Sequence, residues 1–215
     1  MAEITAALVR ELREETDLPM MDCKKALQEN NGDKEAAKEW LRKNGIIVAA
    51  KRADRETAFG RFGIYAGLDK KAGAVVEVKC ESAPVAGSEE FIALANGMAE
   101  QLATGPGATT ADELLDQPCP GKAGKTIREV KEEMFNRIRE VFNIGRMQRF
   151  DGTCGGYSHN SGTVSGVLVE VEGGTDEAAK NVAMHVAAMR PSALGRDDVD
   201  PESVEKERKI LRDAA

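Results

Sequence analysis

A six-residue pattern that occurs twice constrains the fold of this chain more than any other feature of its sequence. Gly73–Val78 and Gly166–Val171 agree at four of six positions, and alternating apolar residues around each of them predict two antiparallel β-hairpins. A helical apolar stripe follows each hairpin, at about 88–103 and from Thr175 onwards. The sequence therefore predicts an α+β core of two related strand-strand-helix halves, joined by the connection 105–150. The stripe of the second helix comprises Ala178, Val182, Val186 and Met189.

The first 45 residues predict a unit of three helices. Apolar residues at helical spacing favour a first helix over 4–16, which a Leu-Pro pair then ends. Asp22 is a suitable N-cap for the second helix, and Asp33 is one for the third. Gly45 stands at the position where helices commonly end, so we expect the third helix to stop there. A separate charged helix over 47–56 would then connect this unit to the core.

The second helix begins with an unusual pair of methionines. Met20 and Met21 precede the expected cap, and Lys24 and Lys25 follow it, where cations oppose the helix dipole. An acidic partner surface would explain the lysines. Alternatively, Met21 packs onto Ala26 as a hydrophobic staple and the lysines are simply solvated. The residues alone leave both interpretations open.

Composition excludes several classes of function. The formal net charge of −7 argues against direct binding of nucleic acid, and no glycine-rich loop lies between a strand and a helix to hold a nucleotide. The four cysteines form no C-x-x-C pair and the two histidines lack metal-ligand spacing, so we predict reduced thiols, no cofactor and a cytoplasmic protein. The amino end lacks the apolar region of a signal peptide, and no apolar run approaches the roughly 18 residues of a membrane span.

One pair of residues could carry covalent chemistry. Cys154 and His159 are near in sequence, and a thiol beside an imidazole can act as a nucleophile. However, His159 adjoins the expected hairpin turn, and an exposed position there suits contact with a partner better than catalysis. The segment 80–86 leaves a buried strand and runs outward, so the rigid sheet would project it to an exposed position that also suits contact with a partner. We therefore predict a protein that is not an enzyme.

With these pieces placed, the chain resembles the translation elongation factor Ts family. The most specific similarity is Met20–Leu27, followed by 31–33 and 49–51 in the same amino-terminal unit. Weaker similarity continues through Gly166–Val169 and Ala183–Ala188. The resemblance implies a ubiquitin-associated-like three-helix module with a linker helix over 1–54, a core N-subdomain over 55–150 and a core C-subdomain over 151–215.

The same resemblance implies a function. Members of the family act as guanine-nucleotide exchange factors for translation elongation factor Tu, which carries the GDP or GTP and the Mg²⁺ itself. The factor would bind this GTPase and disturb its Mg²⁺ and phosphate site, with no cofactor of its own. The residues that match the family's contact positions, or lie beside them, are Arg13, Met20, Met21, Lys24, Ser82, Ala83, Pro84, Val85, Ile138 and His159.

The chain departs from the family pattern in three respects. The family motif Thr-Asp-Phe-Val is replaced by Ser82–Val85, and the motif Ile-Gly-Glu-Asn by Ile138–Val141. Family members also commonly continue beyond the position of Ala215, so we expect a truncated C-subdomain. The replacement of the first motif leaves one alternative open, a divergent paralogue that binds the GTPase without efficient exchange. The face of the three-helix unit leaves another, a ubiquitin-associated-type adaptor that binds peptides.

Overall fold

A computed structural model of the chain describes residues 4–52, 54–161 and 163–214. It has mixed α-helix and antiparallel β-sheet, which confirms the predicted α+β class. The elements are, in chain order, α1 (Ala6–Thr16), α2 (Met20–Glu29), α3 (Lys34–Arg52), β1 (Phe59–Tyr65), β2 (Ala72–Cys80), α4 (Ala83–Ala86), α5 (Glu89–Thr104), α6 (Ala111–Leu115), α7 (Ile127–Ile138), β3 (Asn143–Asp151), β4 (Cys154–Ser161), β5 (Thr163–Glu170), α8 (Asp176–Met189), a short 3-10 helix (Arg196–Asp198) and α9 (Pro201–Asp213).

The three amino-terminal helices form a unit with its own hydrophobic core. Leu12 of α1, Leu27 of α2 and Leu41 of α3 are among its buried residues, and Trp40 packs against them from the side. Thr5 caps α1 by accepting a hydrogen bond from the amide of Leu8. The predicted three-helix unit is therefore present.

The third helix does not end at Gly45, as the sequence predicted. α3 continues through this glycine to Arg52, so no separate connecting helix follows it. A Cβ at Gly45 would overlap the side-chain amide of Asn136 on α7. Gly45 is therefore explained by the close approach of two helices rather than by a helix end. This contact is one place where the amino-terminal helices rest on the core.

A three-stranded antiparallel sheet, in the order β1-β2-β3, forms the centre of the core. The first predicted hairpin is β1 and β2, and α5 covers their inner face. Val76 and Val78 of the central strand are fully buried together with Phe91 and Met98 of α5. These residues follow the period of two in the strand and of about 3.6 in the helix, as the sequence indicated.

The third strand is an element that the sequence did not predict. β3 lies in the region 105–150 expected to be a connection, and it follows α7, which ends at Ile138. β3 is an edge strand that pairs with β2, and its register shifts between Val76 and Val78. An edge strand with an interrupted register has only a weak alternation of apolar and polar residues. That is the physical reason why its pattern was not recognised.

The second hairpin, β4 and β5, is paired as predicted, and α8 packs against it. The predicted apolar stripe of α8 is wrong, because Ala179 and Ala183 are its buried residues, whereas Met189 is 67% exposed. A Cβ at Gly155 of β4 would overlap the backbone of Ala179. The helix therefore lies too close to the strand for larger side chains to fit between them.

Candidate partner-docking site

The start of α2 carries the first group of predicted contact residues. Met20 and Met21 are the first two residues of the helix, and they are 41% and 70% exposed. Pro19 occupies the N-cap position and makes no side-chain hydrogen bond there. Lys24 lies one turn after Met20 and is also exposed. The start of α2 therefore presents two adaptable apolar side chains beside a cation.

The structure corrects both local predictions for this stretch. Asp22 lies inside the first turn of α2 and is not its N-cap, because Pro19 already precedes the first helical residue. Met21 is largely exposed whereas Ala26 is fully buried, so these two residues do not form a hydrophobic staple. The exposure therefore excludes the staple, and contact of these methionines with a partner stays a prediction.

Arg13 lies on α1 close to this helix start. It is exposed, and its backbone carbonyl accepts a hydrogen bond from Asp17 at 2.8 Å where α1 ends. Burial raises the pKa of the Cys23 thiol on α2, and the positive charge of Arg13 opposes that rise. Thr16, one turn after Arg13 on α1, has its hydroxyl oxygen 3.7 Å from the Cys23 sulfur of α2. Arg13 therefore lies in the part of α1 that adjoins the first turn of α2, which also carries the two methionines.

The segment after β2, which the sequence predicted to run outward from the sheet, forms one helical turn, α4. Pro84 lies in this turn, where its missing amide leaves no hydrogen bond unmade. Ala83 and Pro84 are exposed, and Ser82 is half-buried. Val85 packs against the core of the sheet and α5. The turn therefore presents two small side chains to the outside and is anchored by the residues on either side of them.

Two carboxylates hold this turn against the end of α7. The Ser82 amide and hydroxyl donate hydrogen bonds to Glu140 at 3.1 Å and 2.6 Å. In the reverse direction, the Val141 amide donates to Glu81 at 2.8 Å, and Arg55 donates to the same carboxylate at 3.2 Å. We call this arrangement the Glu81–Glu140 clamp. Each of the two segments supplies the carboxylate that satisfies a backbone amide of the other.

The residue before Glu140 connects the same junction to the amino-terminal helices. Arg139 caps α7 in the left-handed conformation, with φ of 65°. Its guanidinium forms an ion pair with Asp22 of α2, and its carbonyl accepts a hydrogen bond from Arg52 at 2.8 Å. Sequence reasoning missed both contacts because Asp22 and Arg139 are 117 residues apart in the chain.

The two remaining predicted residues lie in different surroundings. Ile138 is half-buried and packs against the core, so most of its side chain is directed inward. His159 lies near the turn of the second hairpin, but it is half-buried rather than fully exposed, and its Nδ1 is 3.1 Å from the hydroxyl oxygen of Tyr157. No side-chain hydrogen bond between described residues connects His159 to the Glu81–Glu140 clamp or to α2.

The structure contradicts a nucleophilic pair of Cys154 and His159. The two residues are separated by an odd number of positions along β4, and side chains alternate between the faces of a strand, so these two lie on opposite faces of the hairpin. Cys154 is fully buried, and burial raises the pKa of its thiol, which reduces the reactive thiolate. Within residues 4–52, 54–161 and 163–214, no group of His, Cys, Asp and Glu side chains is arranged to hold a metal ion. None of the helices in those ranges is both long and apolar enough to cross a membrane.

The structure so far defines an α+β protein whose three amino-terminal helices have their own hydrophobic core, with exposed apolar side chains at the start of α2. Comparison with known proteins identifies its family. The chain belongs to the elongation factor Ts family: the sequence model of the family described as "Elongation factor TS" matches residues 81–215.

Curated relatives extend this match over nearly the whole chain. Elongation factor Ts of Hydrogenovibrio crunogenus is 44% identical over 209 residues, which cover 96% of this chain and 69% of the relative. The protein of the same name from Clostridium botulinum is 42% identical over 217 residues, 97% of this chain and 70% of the relative. That of Rhodospirillum centenum is 44% identical over 229 aligned positions, covering 100% of this chain and 72% of the relative.

Proposed function

We propose that this chain is a guanine-nucleotide exchange factor for translation elongation factor Tu and that it promotes GDP release without covalent chemistry of its own. One observation carries the proposal: relatives that are 42–44% identical over almost the entire chain are named elongation factor Ts. A factor in protein synthesis acts in the cytoplasm, which is the compartment we propose. The nucleotide and the Mg²⁺ belong to the GTPase.

Exchange by a docking protein follows from thermodynamic linkage. A factor that binds the vacant GTPase more tightly than the GDP-loaded form weakens GDP binding by the same factor. Such a preference requires contacts that the two forms satisfy differently. We propose that the start of α2 supplies the docking contacts and that the α4 turn acts at the nucleotide site. Disturbing the Mg²⁺ and phosphate contacts there removes charge stabilisation from GDP.

The exposed residues of the α4 turn set limits on how it can act. Ala83 and Pro84 replace the acidic and aromatic residues of the family motif, so no side chain here can repel a phosphate or insert as a large wedge. Proline in a single helical turn loses little conformational entropy when it docks. We propose that the turn acts through the bulk of its main chain, in the orientation that the Glu81–Glu140 clamp gives it.

The proposal includes an architecture. We assign residues 1–54 to a ubiquitin-associated-like module with its linker, 55–150 to the N-subdomain and 151–215 to the C-subdomain of the core. The hairpin and helix that occur in each half support a relation between the subdomains, although the first sheet has a third strand. The buried core that the three amino-terminal helices share supports a separate module.

The direct test is stopped-flow release of fluorescent GDP from elongation factor Tu. We expect acceleration that saturates with the concentration of this protein. Met21→Ala should raise the half-saturating concentration, whereas Met189→Ala, which removes an equally exposed methionine from α8, should not. Binding without acceleration would favour the paralogue that docks without exchange. Absence of binding to the GTPase, with capture of ubiquitin or a peptide, would favour the adaptor.

A further inference from the structure

Glu140 lies at the point where the contacts of the α4 turn and those of α2 meet. We infer that Glu140 is a positioning residue, which holds the α4 turn in the orientation needed for nucleotide exchange and couples it to α2 through its neighbour Arg139. This inference rests on the proposed exchange function, and its test separates the two.

The α4 turn cannot hold its own orientation. It has four residues, and a helix of one turn is unstable without outside contacts because it forms too few hydrogen bonds for the backbone order it requires. Ser82, the residue before it, makes no capping hydrogen bond to α4 through its side chain. Its hydroxyl and its amide instead both donate to Glu140. The carboxylate of Glu140 therefore anchors the amino-terminal end of the turn.

The anchor between the α4 turn and the end of α7 is reciprocal. The amide of Val141, which follows Glu140, donates to Glu81, which precedes Ser82. The two chain segments are thus crossed by hydrogen bonds in both directions, and one cannot rotate without breaking contacts to the other. Hydrogen bonds to a charged acceptor are stronger than neutral ones, so this geometry resists displacement. Val85 adds an apolar contact at the other end of the turn.

The same junction is connected to α2. Arg139 and Glu140 are adjacent, so one peptide unit separates the ion pair with Asp22 from the hydrogen bonds with Ser82. Arg52 at the end of α3 fixes the carbonyl of Arg139. A displacement of α2 relative to the core must therefore act on the junction that holds the α4 turn. Packed side chains and hydrogen-bond networks can carry coupling between two contact groups, and this junction supplies such a network.

The test compares three variants in the GDP-release assay. Glu140→Ala removes both acceptors and should lower the maximal release rate about tenfold while the half-saturating concentration changes less than about twofold. Glu140→Gln should retain most of the rate. Its side-chain oxygen can accept a hydrogen bond from the Ser82 backbone amide, and its side-chain NH2 group can donate one to the Ser82 hydroxyl. Glu133→Ala is the matched control, since Glu133 is an exposed carboxylate of α7 that pairs with Lys125. It should behave as the unmodified protein.

A second measurement uses the protein without its partner. Hydrogen exchange of the Ser82 amide should become at least about tenfold faster in Glu140→Ala and stay nearly unchanged in Glu133→Ala. If Glu140→Ala fails to fold, Ser82→Ala takes its place. This variant keeps the hydrogen bond from the backbone amide of residue 82 to Glu140 but loses the one from the hydroxyl, so it should lower the maximal rate, whereas Glu140→Gln should not. A wild-type maximal rate in Glu140→Ala or in that substitute, or a change confined to the half-saturating concentration, would overturn the inference. If the unmodified protein itself fails to accelerate release, the proposed function is wrong instead.

Discussion

Arg139 combines an unfavourable backbone conformation with a favourable ion pair, and substitutions can separate the two. Its φ of 65° is left-handed, which costs a residue with a Cβ roughly 1 kcal/mol relative to glycine. Its guanidinium pairs with Asp22, and the two side chains are 27% and 39% exposed. A partly covered pair of this kind contributes up to about 1 kcal/mol. The two terms therefore have similar size and opposite sign.

The substitutions follow from this balance. Arg139→Ala loses the ion pair and keeps the unfavourable backbone, so it should be about 1 kcal/mol less stable than the unmodified protein. Arg139→Gly loses the same pair but is relieved of the backbone cost, so its stability should stay within roughly 0.5 kcal/mol. The glycine variant should then melt about 2–4 °C above the alanine variant, as expected for a chain of this size.

Urea and thermal unfolding followed by circular dichroism provide the assay. Arg137, in the last turn of α7, is the matched control because it is helical and also forms an ion pair, with Glu90. At that position glycine should be the less stable variant by about 1 kcal/mol, so the order of the two substitutions reverses. Adding Asp22→Asn to Arg139→Ala should cost little more, since the pair is already lost. Equal stability of alanine and glycine at position 139 would refute the reasoning.

Three further predictions concern other parts of the molecule. Gly45→Ala should destabilise the protein by about 1–3 kcal/mol, because the added Cβ overlaps Asn136. In an Asn136→Ala background the same change should stabilise the protein by about 1 kcal/mol, since alanine favours a helix more than glycine does. Urea unfolding of the unmodified protein, the two single variants and the double variant checks this. Met21→Ala should weaken binding to elongation factor Tu by about 1 kcal/mol or more in calorimetry, and unchanged affinity would exclude it from the docking surface. Hydrogen bonds from Lys34 and then Lys38 lower the pKa of Glu15 from 4.5 to about 2. Their stabilising effect is present above pH 4.5 and is lost as the pH falls towards 2. The difference in the free energy of unfolding between the unmodified protein and Glu15→Gln should therefore shrink across that window. A constant difference would contradict this prediction.

Where the groups that determine an element lie within a few residues of each other, the sequence alone can indicate that element. Thr110 and Glu113 form a capping box at the start of α6, and Asp200 caps α9 directly before Pro201. Each of these depends on groups within three residues of each other, so the sequence contains both partners side by side. The hairpins were predicted for a similar reason, since strand alternation and turn residues are adjacent in the chain.

The errors at Gly45 and in α8 have a different cause, which is contact between distant segments. Gly45 was interpreted as a helix end because nothing nearby in sequence reveals Asn136, and the buried face of α8 is decided by its distance from Gly155. The family resemblance singled out the 82–85 segment, but it did not reveal that Glu140 holds this segment from 58 residues away. Such pairs become visible only when packing places them together.

The central claim is that the protein distinguishes two states of its partner. Titration of nucleotide-free and of GDP-loaded elongation factor Tu, under the same salt and Mg²⁺ conditions, measures the two dissociation constants. The account predicts tighter binding to the nucleotide-free form by about 5- to 150-fold, the range typical of coupled sites. Equal dissociation constants for the two forms would contradict it.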